Sequence, residues 1–154
     1  MNDIKKGGVV IIDFGSQYTK LIARRIRENL VFSEILSSDS EINVIMKNSP
    51  AAIIFSGGPK SVNDKLSPIV NKALFQADIP ILGICYGLQL LVKEYGGKIE
   101  SEGNGEYGFA TIDIKDKSTL FSGLDNFSKV WMSHGDRALR VPDGWNLLAE
   151  SSNG

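Results

Sequence analysis

A single cysteine, Cys85, and a single histidine, His134, occur in the 154 residues. One cysteine makes no internal disulfide, and one Cys with one His cannot close a structural zinc site. No charge of one sign dominates, since 17 basic side chains stand against 18 acidic ones for a formal net charge of -1. Nothing therefore draws the chain to a polyanion, and no basic run carries the aromatic interleaving of a nucleic-acid groove. Long apolar runs are missing too. None approaches the roughly 18 residues that cross a bilayer, and Met1 to Gly8 lacks the apolar stretch of a secretory signal. The expected address is cytoplasmic, with neither nucleic acid nor membrane as partner. The chain has no G-x-G-x-x-G, no P-loop and no paired metal ligands, so dinucleotide, Walker-type and metal chemistry have no support. Cys85 is either inert core or chemistry.

What is present is an alternation of short apolar runs with helical spacing, in a chain long enough to bury a core as one compact unit. Val9 to Asp13 reads as a strand, and Ile22, Ile26 and Leu30, recurring every four residues, predict a helix whose solvated face carries Arg24, Arg25 and Arg27. Phe32 to Leu36 reads as a second strand. Ser40 is placed to cap a brief helix through Ile42, Ile45 and Met46, stopping near Asn48-Ser49-Pro50. Ala51 to Phe55 is a continuous apolar run of buried-strand type, closed by Ser56-Gly57-Gly58-Pro59. Pro68 suits the first turn of a helix reaching about Gln76, and Ile79 to Ile84 forms the next strand, with Cys85 at its end. Leu88, Leu91, Val92 and Tyr95 then keep helical register up to Gly96-Gly97. This order predicts an α/β fold with a mostly parallel central sheet, helices on both faces, and functional groups at the carboxyl ends of the strands. Beyond Lys98, Ala110 to Ile114, Lys129 to Met132 and Trp145 to Glu150 read as extra, shorter strands of antiparallel type in the C-terminal third.

Gly83-Ile84-Cys85-Tyr86-Gly87 has the form G-x-nucleophile-x-G of a sharp strand-to-helix turn. The glycines fit because side chains there would strike neighbouring backbone, and the following helix N-terminus favours thiolate over thiol. The plainer reading of a lone cysteine is a small buried hydrophobe, and the elbow context weighs against it. The N–H groups of Gly58 and Tyr86 together would make a two-donor oxyanion hole. Ser56-Gly57-Gly58-Pro59-Lys60-Ser61 also suits an ordinary turn or a phosphate cradle, although Pro59 removes one donor and Lys60 stands where an acid would be needed. His134, in Met132-Ser133-His134-Gly135-Asp136, reads either as base to Cys85 or as a hydrogen-bonded structural or substrate-positioning residue, the commoner role beside Gly and Asp in a loop.

The segment G-I-C-Y-G-L-Q, Gly83 to Gln89, resembles the nucleophile segment of class I glutamine amidotransferases. D-F-G-S-Q-Y from Asp13 to Tyr18, S-G-G-P from Ser56 to Pro59 and W-M-S-H-G-D from Trp131 to Asp136 are similar to one branch of that family. In that branch, released ammonia is used to aminate xanthosine monophosphate to GMP. The resemblance covers essentially the whole chain and implies a flavodoxin-like sheet. It further implies that Cys85 forms a glutamyl thioester and that Tyr86 and Gly58 supply the oxyanion donors. Gly57 and Gln89 would help to hold glutamine, while Ser133, Gly135 and Asp136 would line its pocket or face the partner domain.

The resemblance implies no cofactor in residues 1 to 154. ATP and Mg would serve an ATP-pyrophosphatase domain of the same enzyme, a homodimer at full length, and that domain and the dimerisation domain are absent here. The F-H-P-E segment, whose His and Glu complete the family's triad, is expected roughly twenty residues beyond Gly154. The amidotransferase domain is thus expected to be incomplete at its C-terminus and, by itself, not to hydrolyse glutamine at a useful rate. Two alternatives remain at this point: the glutaminase part of another class I amidotransferase, such as anthranilate synthase or carbamoyl phosphate synthase, and a non-catalytic glutamine-binding module.

Overall fold

The computed structural model describes residues 7–101, 106–117 and 120–152. Contacts divide the chain into two compact units, Met1–Leu91 and Val92–Gly154, rather than the one that its length suggests. The first unit holds β1 (Val9–Asp13), α1 (Thr19–Glu28), β2 (Ser33–Ser37), α2 (Ile42–Met46), β3 (Ala52–Phe55), a 3-10 helix (Lys72–Gln76) and β4 (Ile81–Gly83). It also holds the start of α3 (Tyr86–Glu94).

The four strands form one parallel sheet in the order β2-β1-β3-β4. β1 and β3 are central, which is why Val10, Ile11, Ile12, Ile53 and Phe55 are apolar without alternation and all buried. Because β2 and β3 leave on opposite sides of β1, the chain reverses direction across the sheet there, the place where open α/β sheets present their sites. Register brings the strand ends level: Ile12 pairs with Phe55, and Phe55 with Gly83. The loops opening at Phe14, Ser56 and Ile84 therefore leave from one edge.

Three local expectations are corrected. Leu30 does not continue the apolar stripe of α1. The helix ends at Glu28, and Leu30, at φ 60° and 97% exposed, lies in the turn that follows, so Thr19 and Ala23 supply the fully buried contacts instead. Ser40 does not cap α2; Glu41 occupies that position without a side-chain cap, and the Ser40 N–H is spent in a turn on the Ser37 carbonyl. Pro68 does not open a helix. Its carbonyl, which a helix would offer to the N–H four residues on, accepts the Tyr86 hydroxyl instead. The short helix starts only at Lys72, where the Asn71 side chain accepts from the Ala73 N–H.

The second unit contains β5 (Lys98–Glu100), β6 (Glu106–Ile114), β7 (Phe127–His134), β8 (Arg137–Arg140) and β9 (Ala149–Ser151). All its pairings are antiparallel, β5 with β8 and β7-β6-β9. The predicted strand from Trp145 shrinks to β9, because Pro142-Asp143-Gly144 makes a turn with Gly144 at φ 80° and the Leu148 carbonyl is taken by the N–H groups of Lys115 and Asp116. β5 and β8 escaped sequence reading, since their Lys, Glu and Arg residues carry no apolar alternation. One registering contact is the two-pronged Arg137 grip on Glu100, at 2.7 and 2.8 Å.

Candidate active site

Cys85 stands between β4 and α3 with φ 51°, in the left-handed region that non-glycine residues rarely occupy. Such a conformation costs on the order of 1–3 kcal/mol and persists only where the surroundings impose it. Here they do. The Ile84 N–H donates to the Phe55 carbonyl at 2.9 Å, ending the strand pairing, and the Cys85 carbonyl one residue later accepts the Gln89 N–H at 3.0 Å, starting the helix. The chain changes from strand to helix within a single residue.

The flanking glycines are dictated by the same crowding. A Cβ on Gly83 would lie 2.5 Å from the Leu88 nitrogen, and one on Gly87 would run into the Phe55 carbonyl. Both obstacles are backbone, so no side-chain rotation relieves them. Gly58 is equally closed, because its Cβ would stand 2.6 Å from the Phe14 carbonyl oxygen. Gly57 differs. The nearest neighbours of a Cβ there would be the Ser16 hydroxyl at 3.5 Å, the Cys85 Cβ at 3.6 Å and the Ser16 Cβ at 3.7 Å, all ordinary contacts, so Gly57 presents a bare backbone face beside these two side chains.

Among the described residues, the N–H groups of Gly58 and Tyr86 make no hydrogen bond to the protein. The Tyr86 side chain is fully buried, its ring 4.9 Å from that of Phe14 and its hydroxyl 2.5 Å from the Pro68 carbonyl. Burial pushes its phenol pKa up, Asp64 adds to the rise, and a hydrogen bond with Ser67 opposes it. Its side chain is thus an anchor, and what it offers a ligand is main chain. Gln89, one turn into α3, is buried.

The first unit therefore brings together Cys85, Tyr86, Gly57, Gly58 and Gln89. Ser133, Gly135 and Asp136 belong to the second unit. Ser133 pairs with Tyr107 across β6 and β7, and a Cβ on Gly135 would touch only the Tyr107 hydroxyl, at 3.6 Å. His134 is held at both ring nitrogens, with Nε2 3.1 Å from the buried Glu106 carboxylate and Nδ1 2.8 Å from the Asp136 carbonyl. Both ring nitrogens thus have partners within the second unit, the Glu106 carboxylate and the Asp136 carbonyl. Among the described residues, no group of three or more His, Cys, Asp or Glu could hold a metal ion. No helix there is long and apolar enough to cross a membrane.

This elbow, with its flanking glycines and two unspent N–H groups, is the setting for an acyl-transfer nucleophile. A family profile for class-I glutamine amidotransferases matches residues 10–154. The chain belongs to that family. The glutamine-hydrolyzing GMP synthase of Synechocystis is 46% identical over 154 residues, which is 99% of this chain and 28% of that protein. The enzyme of the same name from Lactobacillus gasseri is 47% identical, again over 99% of this chain and 29% of the relative. The chain thus spans little more than a quarter of the length of these curated relatives. A candidate GMP synthase component from Thermoplasma acidophilum superposes with a TM-score of 0.83 at 27% identity, covering 96% of this chain and 74% of that one.

In this amidotransferase, sequence reading missed Phe14 and Ser56 as parts of the site. Phe14 packs its ring 4.9 Å from that of Tyr86, and its carbonyl oxygen fills the space that a Cβ on Gly58 would need. Ser56 is linked to Phe14 across 42 residues by a hydrogen bond from the Phe14 N–H to its hydroxyl. The signal was available only as position, since both residues are the first to leave their strands.

Proposed function

We propose that this chain is the glutamine-hydrolysing part of a GMP synthase, releasing ammonia from the glutamine side chain through a thioester on Cys85. The observation that carries the reading is the left-handed Cys85 at the β4–α3 turn, beside the open face of Gly57 and the unspent N–H groups of Gly58 and Tyr86.

In this reading the Cys85 sulfur attacks the amide carbon, and the carbonyl electron pair moves to oxygen, where Gly58 and Tyr86 N–H groups stabilise it. Such donors are typically worth ~3 to 4 kcal/mol each when removed. The pair returns, the C–N bond breaks, and ammonia leaves with a proton. Water then hydrolyses the thioester to glutamate. Gln89 helps to hold the substrate. The proton carrier is a group other than His134, whose ring nitrogens are both engaged.

The ammonia is passed to an ATP-pyrophosphatase domain of the same enzyme, which uses ATP and Mg to aminate xanthosine monophosphate to GMP, in a cytoplasmic homodimer. The relatives' shared name supports this assignment. The test uses the full-length protein with glutamine labelled in its amide nitrogen. Label should appear in GMP when ATP, Mg and xanthosine monophosphate are supplied, and Cys85→Ala should lose glutamine-dependent but retain ammonia-dependent synthesis. Unchanged glutamine hydrolysis in Cys85→Ala would overturn the role of Cys85; amination of a different acceptor would overturn the GMP assignment.

A further inference from the structure

We propose that the buried hydroxyl of Ser56 is a positioning group that locks the Gly57–Gly58 peptide so that the Gly58 N–H points out into the oxyanion site. The inference rests on the glutaminase reading of Cys85 and adds a residue that acts through Gly58 without touching substrate.

Ser56 is fully buried, and its polar groups are all committed. Its hydroxyl accepts from the Phe14 N–H at 3.1 Å and donates to the Gly57 carbonyl at 2.9 Å. Its N–H donates to the Ile12 carbonyl at 3.0 Å, and its own carbonyl accepts the Gly87 N–H at 3.1 Å. One residue thereby ties the loop after β1, the loop after β3 and the first turn of α3, which carries the Tyr86 N–H.

The Gly57–Gly58 peptide is trans, so its C=O and N–H point in opposite directions within one plane. Holding the carbonyl on Ser56 turns the Gly58 N–H away from Ser56. Two adjacent glycines lack the Cβ atoms that would otherwise resist rotation of the peptide between them. The start of the loop is held by main chain, through the Ser56 N–H on the Ile12 carbonyl and the Gly87 N–H on the Ser56 carbonyl. Peptide rotation is the freedom that remains, and the Ser56 hydroxyl is the group that removes it.

The experiment measures glutamine hydrolysis by the full-length enzyme as Ser56→Ala and Ser56→Thr. Alanine should lower kcat, approaching the roughly 100-fold loss of an absent donor, with KM unchanged. Threonine should restore kcat while lowering the melting temperature, since it returns the hydroxyl but adds a methyl group to a fully buried site. Glutamate γ-semialdehyde supplies a second readout. Its aldehyde carbon takes the Cys85 sulfur, and the carbonyl pair becomes the oxyanion of a hemithioacetal. Its affinity should fall with kcat in Ser56→Ala, whereas glutamine affinity in a Cys85→Ala background should not.

Parent-like kcat in a folded Ser56→Ala enzyme would overturn the proposal. Should the variants fail to fold, a crystal structure of the parent hemithioacetal decides. The proposal requires the Gly57 carbonyl on Ser56 and the Gly58 nitrogen on the adduct oxygen, and a Gly57 carbonyl turned away from Ser56 refutes it. Failure of the glutaminase reading is separable, because hydrolysis would then survive Cys85→Ala whatever Ser56 does.

Discussion

The Tyr86 hydroxyl donates to the Pro68 carbonyl oxygen at 2.5 Å, joining the first residue of α3 to a segment 18 residues earlier. Tyr86→Phe removes this bond but leaves the main-chain N–H in place. The expected result is a stability loss of about 1 kcal/mol with glutamine hydrolysis retained. Burial raises the phenol pKa above its ordinary 10.0, so the folded state favours the neutral form. That contribution is complete below the unfolded value and is lost as pH rises through the raised folded one. Thermal unfolding at neutral pH and above pH 10 should show a steeper alkaline decline for the parent than for Tyr86→Phe. Equal declines would remove Tyr86 as the cause.

At Cys85, chemistry and stability are expected to oppose each other. Cys85→Gly relieves a left-handed φ of 51° and should stabilise the fold by about 1 kcal/mol while abolishing glutamine hydrolysis. Denaturant unfolding beside a glutaminase assay measures both. A destabilised glycine variant would mean that side-chain packing outweighs the backbone strain.

Neighbouring glycines should respond differently to one added methyl group. Gly57→Ala places a Cβ at ordinary contact distance from Cys85 and Ser16, so the protein should fold as the parent does but bind glutamine more weakly. Gly58→Ala drives a Cβ against the Phe14 carbonyl at 2.6 Å and should destabilise by roughly 1–3 kcal/mol, as overpacking does. Melting temperatures together with KM separate the two cases. Parent-like glutamine binding in Gly57→Ala would place the substrate elsewhere.

Glu106 sits beneath His134, pairing with its Nε2 and also accepting from the Ser151 hydroxyl at 2.8 Å. Removing the carboxylate as Glu106→Ala takes the acceptor from the Ser151 hydroxyl and the partner from His134 Nε2, for an expected loss of about 1–3 kcal/mol. His134→Ala should likewise weaken the fold, yet it should still form the thioester in a single-turnover experiment. Loss of thioester formation in a folded His134→Ala protein would make this histidine the general base.

The strand–helix alternation, the turn at Cys85 and its glycines were legible because each is a local property. Short β-branched runs bounded by turn residues, such as Val9 to Ile12, favour buried strands, and G-I-C-Y-G admits few turns other than a crowded elbow. That local pattern also carried the correct expectation of antiparallel strands in the last third. Leu30 misled because periodicity continues past the point where a left-handed residue ends α1. The charged strands β5 and β8 gave no periodic signal, being fixed by pairing to each other. The Ser56–Phe14 bond, the Pro68 carbonyl turned to Tyr86 and the carboxylate under His134 link residues 42, 18 and 28 positions apart. Such partners are chosen only when sheet register brings strand ends level, so the sequence by itself determined where the Cys85 turn lies, and the tertiary structure decided what holds its surroundings in place.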